Sequence, residues 1–216
     1  MKKAVVLLSG GMDSAVCLSK AKQDGYEIYA LTVDYGQKSR HEIEAAKRIA
    51  EKEKVSSHLI MKVDLREIGG SALTNDDIEV PEEGSEGVPV TYVPARNLIF
   101  LSLAVSWAEV LGAEAVFIGA NVRDYSGYPD CREEFLKSFE KTAALGTKGK
   151  TRISIKAPLL NRTKAEIIEQ GKRLNIDFNI TSSCYNPGLN GEPCGKCESC
   201  QIRKRGFEEL GIKAHK

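Results

Sequence analysis

The chain has 216 residues, 42% of them hydrophobic, and 31 lysines and arginines face 30 aspartates and glutamates for a formal net charge of +1. That size and apolar content suffice to bury a core, which excludes a disordered chain and makes one compact domain over 1–216 the expectation. The charge balance lacks the strong basic excess of bulk nucleic-acid binding, although a local basic groove stays open.

Met1-Lys2-Lys3 followed by Ala4–Leu8 superficially resembles the start of an export signal. The apolar run breaks at Ser9-Gly10-Gly11 after five residues, too short to be exported or to span a bilayer. The expectation is a cytoplasmic protein with no membrane partner. In a reducing compartment its six cysteines favour metal ligation or chemistry over disulfides.

Ala4–Leu8 reads as a strand buried on both faces, and a helical pattern runs from about Ser14 to Gln23. Tyr26–Val33 predicts a second strand, Arg40–Lys54 a charged amphipathic helix, and His58–Val63 a third strand. Gly69–Val90 is polar, acidic and rich in glycine and proline, so it reads as a long loop, either a lid or disordered. Asn97–Leu111 predicts a buried apolar helix, Ala115–Gly119 the fourth strand, and Arg132–Ala144 a further helix. After the Gly146–Lys150 loop, Ile153–Ala157 alternates like a strand. Thr163 and Glu166 then form a capping-box signature for a helix to about Leu174. The alternation predicts a doubly wound parallel α/β sheet, whose ligands sit beyond the carboxyl ends of the strands where the strand order reverses.

Ser9-Gly10-Gly11-Met12-Asp13-Ser14 falls at that edge, between strand and helix. Backbone N–H groups, two glycines, two hydroxyls and a helix N-terminus are the ingredients of a phosphate site. The loop lacks the Gly-Lys-Ser/Thr ending of a Walker loop and the spacing of a dinucleotide fingerprint. It resembles the pyrophosphate loop of the ATP pyrophosphatase superfamily. The resemblance implies an adenine nucleotide alpha hydrolase-like fold, ATP cleavage between the α- and β-phosphates, Mg²⁺ on Asp13, and pyrophosphate on Ser9 and Ser14. The nucleotide-binding stretch is then expected to include Leu8, Ser9, Gly10, Gly11, Met12, Asp13, Ser14, Ala15, Val16, Cys17 and Leu18. Asp34, closing the second strand in Asp34-Tyr35-Gly36-Gln37, is the candidate for a ribose or adenine contact, although such a turn needs no ligand.

Cys184, Cys194, Cys197 and Cys200 have the spacing of a closed four-thiolate site, expected within an embedded segment over 181–205. Structural zinc is the preferred reading and an iron–sulfur cluster the alternative. Cys17 fits the core face of the first helix; Cys131, in a polar segment, draws more suspicion, although a nucleophilic role is not the expectation.

Three further strings narrow the resemblance: Thr91–Asn97, Asp124–Arg132 and Thr181–Tyr185. With the phosphate loop they are similar to the 7-cyano-7-deazaguanine synthase family, from Ala4 to about Phe207. Two departures concern local loop geometry: Ala95 stands where the family is expected to have glycine, and Ala120–Arg123 differs in its lead-in. The resemblance implies conversion of 7-carboxy-7-deazaguanine and ammonia to the nitrile, with two ATP consumed through adenylate and amide intermediates in queuosine biosynthesis. It also implies a homodimer. Within it, Asp130 or Asp124 would receive the guanine-like face, Tyr125 and Tyr128 would stack on the heterocycle, and Arg96 or Arg132 would orient the carboxylate. Asp13, Arg96 and Asp130 are the catalytic candidates. Lys164 is placed either on phosphate or on an ordinary helix surface. The competing readings are another adenylating enzyme, such as a tRNA thiolase, and a zinc-ribbon nucleic-acid module centred on Arg203-Lys204-Arg205.

Overall fold

The computed structural model describes residues 1–82, 87–123, 127–148 and 152–213. Five parallel strands form one sheet in the order β3-β2-β1-β4-β5: β1 (Lys2–Leu7), β2 (Tyr26–Asp34), β3 (Ser57–Lys62), β4 (Ala115–Phe117) and β5 (Ser154–Lys156). The order reverses between β1 and β4, so the crevice beyond those two strands is where a ligand site is expected.

The period of two along β1 sorts its side chains into two cores. Ala4, Val6 and Leu8 face a layer built from α1 (Met12–Gln23), α2 (His41–Glu53), α5 (Lys164–Arg173) and α6 (Glu198–Glu209). Val5 and Leu7 face α3 (Arg96–Leu111) and α4 (Glu133–Gly146). Helices on both faces explain why the strands read as apolar runs. Among the described residues no helix is long and apolar enough to cross a membrane.

The predicted capping box is present: Thr163 Oγ1 accepts from the Glu166 N–H, and Glu166 Oε2 accepts from the Thr163 N–H. Two expectations need correction. α3 is buried along Leu101, Ala104, Val105 and Ala108, but Leu98 and Val110 lie on its exposed side, so it is half-buried. The segment after Gly69 is also not wholly a surface loop, because Ser71, Ala72, Leu73 and Thr74 are buried. The Ala72 N–H donates to the Val90 carbonyl, and the Leu73 carbonyl accepts from Lys38. Irregular backbone can be buried where its polar groups are paired in this way.

Ala95, the N-cap of α3, has φ 54° and ψ 24°, in the left-handed region. A β-carbon there costs roughly 1–2 kcal/mol, which accounts for the expectation of glycine at this position. Its N–H is held by the Tyr92 hydroxyl at 2.9 Å, so the geometry is fixed by a partner. Ala95→Gly is expected to raise the unfolding free energy by about 1 kcal/mol, after allowing for greater freedom of the unfolded chain. A denaturant midpoint that falls would show that the alanine methyl contributes packing worth more than the strain.

Candidate active site

The Ser9–Ser14 loop opens into a cavity of about 210 Å³ at the β1/β4 crevice. Its shape is set by crowding at two glycines. Gly10 has φ +90°, and a β-carbon there would stand 2.1 Å from the Glu42 carbonyl oxygen on α2. Gly119, just past β4, lies so close to the α1 N-terminus that a β-carbon would meet the Asp13 and Ser14 backbone at 3.1 Å.

Internal hydrogen bonds hold the loop open. The Ser9 N–H donates to Ser14 Oγ at 3.2 Å, Ser14 Oγ donates to the Gly11 carbonyl at 2.8 Å, and the Gly11 N–H donates to Ser9 Oγ at 3.3 Å. The Thr181–Ser183 segment closes against it: the Ser182 N–H donates to the Gly10 carbonyl at 2.9 Å, and Ser183 Oγ accepts from Met12 at 3.5 Å. Ser182 and Ser183 therefore join the cavity wall. That pairing was not legible in the sequence, where this segment stood out only as a distinctive string.

Asp13 projects into the cavity, and both its carboxylate oxygens accept from Lys164 Nζ, at 2.7 and 2.8 Å. Lys164 is 8% exposed, which settles its placement in favour of the site over an ordinary helix surface. The capping box that starts α5 one residue earlier positions it. Buried Asn121 ties the post-β4 loop to the same turn, donating to the Leu159 and Arg162 carbonyls at 3.1 and 2.7 Å.

Opposite the loop lies Arg96, the first residue of α3. It donates to the Tyr35 hydroxyl at 3.2 Å and lies 5.6 Å from that ring's centroid. Burial pushes the Tyr35 phenol up to about 12. Glu42 also lines the cavity, and burial raises its carboxyl to about 8, with Arg96 pulling in the other direction. Neither Tyr35 nor Glu42 was a site candidate from the sequence; both follow a strand end or helix start whose direction only the fold fixes.

The remaining candidates divide. Leu8, Ser9, Gly11, Met12, Asp13 and Ser14 line the cavity, whereas Ala15, Val16, Cys17 and Leu18 are sealed in the core at 0% exposure. Burial raises the Cys17 thiol far above its ordinary range, as expected of an inert core residue. Asp34 does not line the cavity; its carboxylate lies 3.7 Å from Arg40 and accepts from the Gly36 N–H. Tyr128 lines the cavity. Asp130 does not: its Oδ2 accepts from the Asn97 N–H at 2.9 Å, capping α3 directly after Arg96, and burial raises its carboxyl. Arg132 is exposed at the start of α4 and outside the cavity wall. Asp124 and Tyr125 lie outside the described residues. Cys131 lines the cavity, but burial raises its thiol to about 11, which fits a packing role.

The four clustered cysteines converge, with sulfurs all within 4.8 Å of one another. Tetrahedral zinc–sulfur bonds of about 2.3 Å place sulfurs about 3.8 Å apart, so the set fits such an ion. Backbone N–H groups of Cys194 and Cys197 donate to Cys184 and Cys194 sulfurs at 3.2 and 3.3 Å, a pattern that favours thiolates. Cys197 is the N-cap of α6, and this helix brings Ser199, Ile202 and Arg203 to the cavity wall. Arg203 donates to Thr181 Oγ1 and the Phe178 carbonyl, each at 2.8 Å, and so braces the segment that closes on the phosphate loop. At Gly206, where a β-carbon would be 2.5 Å from Lys164 Cγ, α6 also packs directly on the cavity lysine.

Known proteins share this fold. A solved NMN synthetase from Francisella tularensis superposes with a TM-score of 0.56 at 19% identity, covering 98% of this chain and 78% of its own. A 4-thiouridine synthetase in complex with RNA and bound ATP gives 0.54 at 22% identity, covering 97% and 50%. Both likenesses concern the fold. At higher identity stand the 7-cyano-7-deazaguanine synthases of Saccharophagus degradans, 56% identical over 96% of this chain and 94% of theirs, and of Stenotrophomonas maltophilia, 54% identical over 98% and 97%. The family model for queuosine biosynthesis protein QueC matches residues 3–211. By both measures, carried across nearly its full length, the chain belongs to the QueC family.

Proposed function

We propose that this protein is a 7-cyano-7-deazaguanine synthase that uses two ATP to convert 7-carboxy-7-deazaguanine and ammonia to the nitrile, each of two adenylations releasing pyrophosphate and each adenylate then giving up AMP. The observation that carries the reading is the Ser9–Ser14 loop opening onto the β1/β4 crevice in a chain of the QueC family. Backbone and hydroxyl donors of the loop hold pyrophosphate. Asp13 is the residue for Mg²⁺, its hard carboxylate oxygens suiting that ion, which supplies charge neutralisation to the departing pyrophosphate. With Asp13 holding such an ion, the Lys164 ammonium that now rests on both its oxygens would be available to phosphate oxygens. Arg96 anchors the substrate carboxylate and Tyr128 packs on the heterocycle. Asp130, by capping α3, fixes where Arg96 points. The four cysteines hold structural zinc within a single catalytic unit.

Incubation with Mg-ATP, ammonium and 7-carboxy-7-deazaguanine is expected to yield nitrile with two AMP per turnover, followed by product mass and nucleotide analysis. AMP and pyrophosphate without nitrile would move the substrate assignment to another adenylating enzyme, and absence of AMP would sink the enzyme reading.

Lys164→Met leaves the Asp13 carboxylate without its partner in a largely buried setting. Stability is expected to fall by roughly 3 kcal/mol, and adenylation to fall at least tenfold even under saturating nucleotide. A variant with unchanged adenylation would place the lysine outside the chemistry. Removing the metal with a thiol-competing chelator is expected to release one zinc per chain, lower the melting temperature and abolish activity together. Release of iron and sulfide would instead identify a cluster.

A further inference from the structure

The cavity's described lining includes two carboxylates, and they differ in their surroundings. Asp13 has both oxygens on Lys164. Glu42, on the first turn of α2, has no hydrogen bond or ion pair to its carboxyl among the described residues. Its own backbone carbonyl packs against Gly10, where a β-carbon would stand 2.1 Å away. The charged and titratable groups that face it are Arg96 from α3 and Tyr35 beyond β2, with Tyr128 and Tyr185 beside Arg96 and the Asp13–Lys164 pair across the phosphate loop.

The proposed reaction imposes a proton balance that these residues must meet. When ammonia adds to the carbonyl carbon of the adenylate, a C–N bond forms and the nitrogen carries a positive charge. One N–H proton must leave before the C–O bond breaks and AMP departs with that electron pair. Lys164 and Arg203 are cationic donors, and burial raises Tyr35, Tyr128 and Cys131, so these keep their protons at neutral pH. Phenols and thiols raised by burial make poor acceptors, as Tyr35 and Cys131 show.

Resting on that functional reading, with Arg96 as the anchor of the substrate carboxylate, we propose that Glu42 is the base that takes the proton from the attacking ammonia. Arg96 and Glu42 line the same cavity, close enough for the guanidinium to influence the carboxyl, and no donor among the described residues holds that carboxyl. Burial holds it at about 8, close to the range where a base works best at neutral to mildly alkaline pH. The proton is then handed to solvent, and the same group serves again when the adenylated amide loses N–H protons to become the nitrile.

The test separates the two chemical stages. ATP–pyrophosphate exchange with 7-carboxy-7-deazaguanine and no ammonia reads adenylation alone; single-turnover amide formation reads ammonia attack. For Glu42→Gln we expect exchange within twofold of wild type and amide formation slowed about 100-fold, the usual scale for loss of a general base. At fixed free ammonia, the wild-type rate should rise through about pH 8 as Glu42 ionises, and the variant should lose that limb while Glu42→Asp retains it. Equal loss of both stages would overturn the proposal in favour of a binding or structural role, as would unchanged amide formation. Absence of exchange in the wild-type enzyme would defeat the functional reading itself, and this proposal with it.

Discussion

Backbone crowding around the phosphate loop is the constraint on which the rest of the site depends. α2 presses on Gly10 at a distance no β-carbon tolerates, and the start of α1 packs on Gly119, just past β4, more tightly than a β-carbon ordinarily allows. These contacts fix the loop relative to both sides of the strand-order reversal. Once they are made, Asp13 points into the crevice, Glu42 is carried to its edge, and Lys164 reaches across from α5. Chemistry of this kind gains from donors and charges held in place before the substrate arrives, because no reorganisation is then needed during reaction.

The cysteine segment contributes to the same end from the opposite side. It is remote in sequence from the loop, yet α6 delivers Arg203 to the Thr181–Ser183 closure and Gly206 to the flank of Lys164. The four converging cysteines sit at the start of a helix whose exposed face mixes Lys204 and Arg205 with Glu208 and Glu209 and whose inner face is part of the cavity wall. Placing structural energy there secures a surface that a short helix of low apolar content could not hold by burial alone.

Much of this was legible from residues. Apolar runs ending in glycine located β1 and β4, the Thr163/Glu166 pair located α5, and the cysteine spacing located four sulfurs that converge closely enough to hold a metal. What stayed hidden depends on tertiary direction. Nothing local distinguishes Lys164 at a helix start from a solvated lysine, or Glu42 from the neighbouring exposed Glu44. Asp130 attracted attention by its setting in a distinctive string, but a carboxylate beside a helix start is equally suited to capping, and that is what it does for α3. The strain at Ala95 was visible only as an unexpected residue type until its φ gave the reason.

The contact between Gly206 and Lys164 has a bearing on how sequence variation in this protein is interpreted. Position 206 lies on the final helix, outside the phosphate loop and outside the cysteine set, and carries no functional group. Even a methyl group there would collide with the lysine stem at 2.5 Å and with Ile168 at 2.9 Å, turning the ammonium away from Asp13. A genetic survey would therefore score this glycine alongside the residues of the cavity wall, although its contribution is empty space.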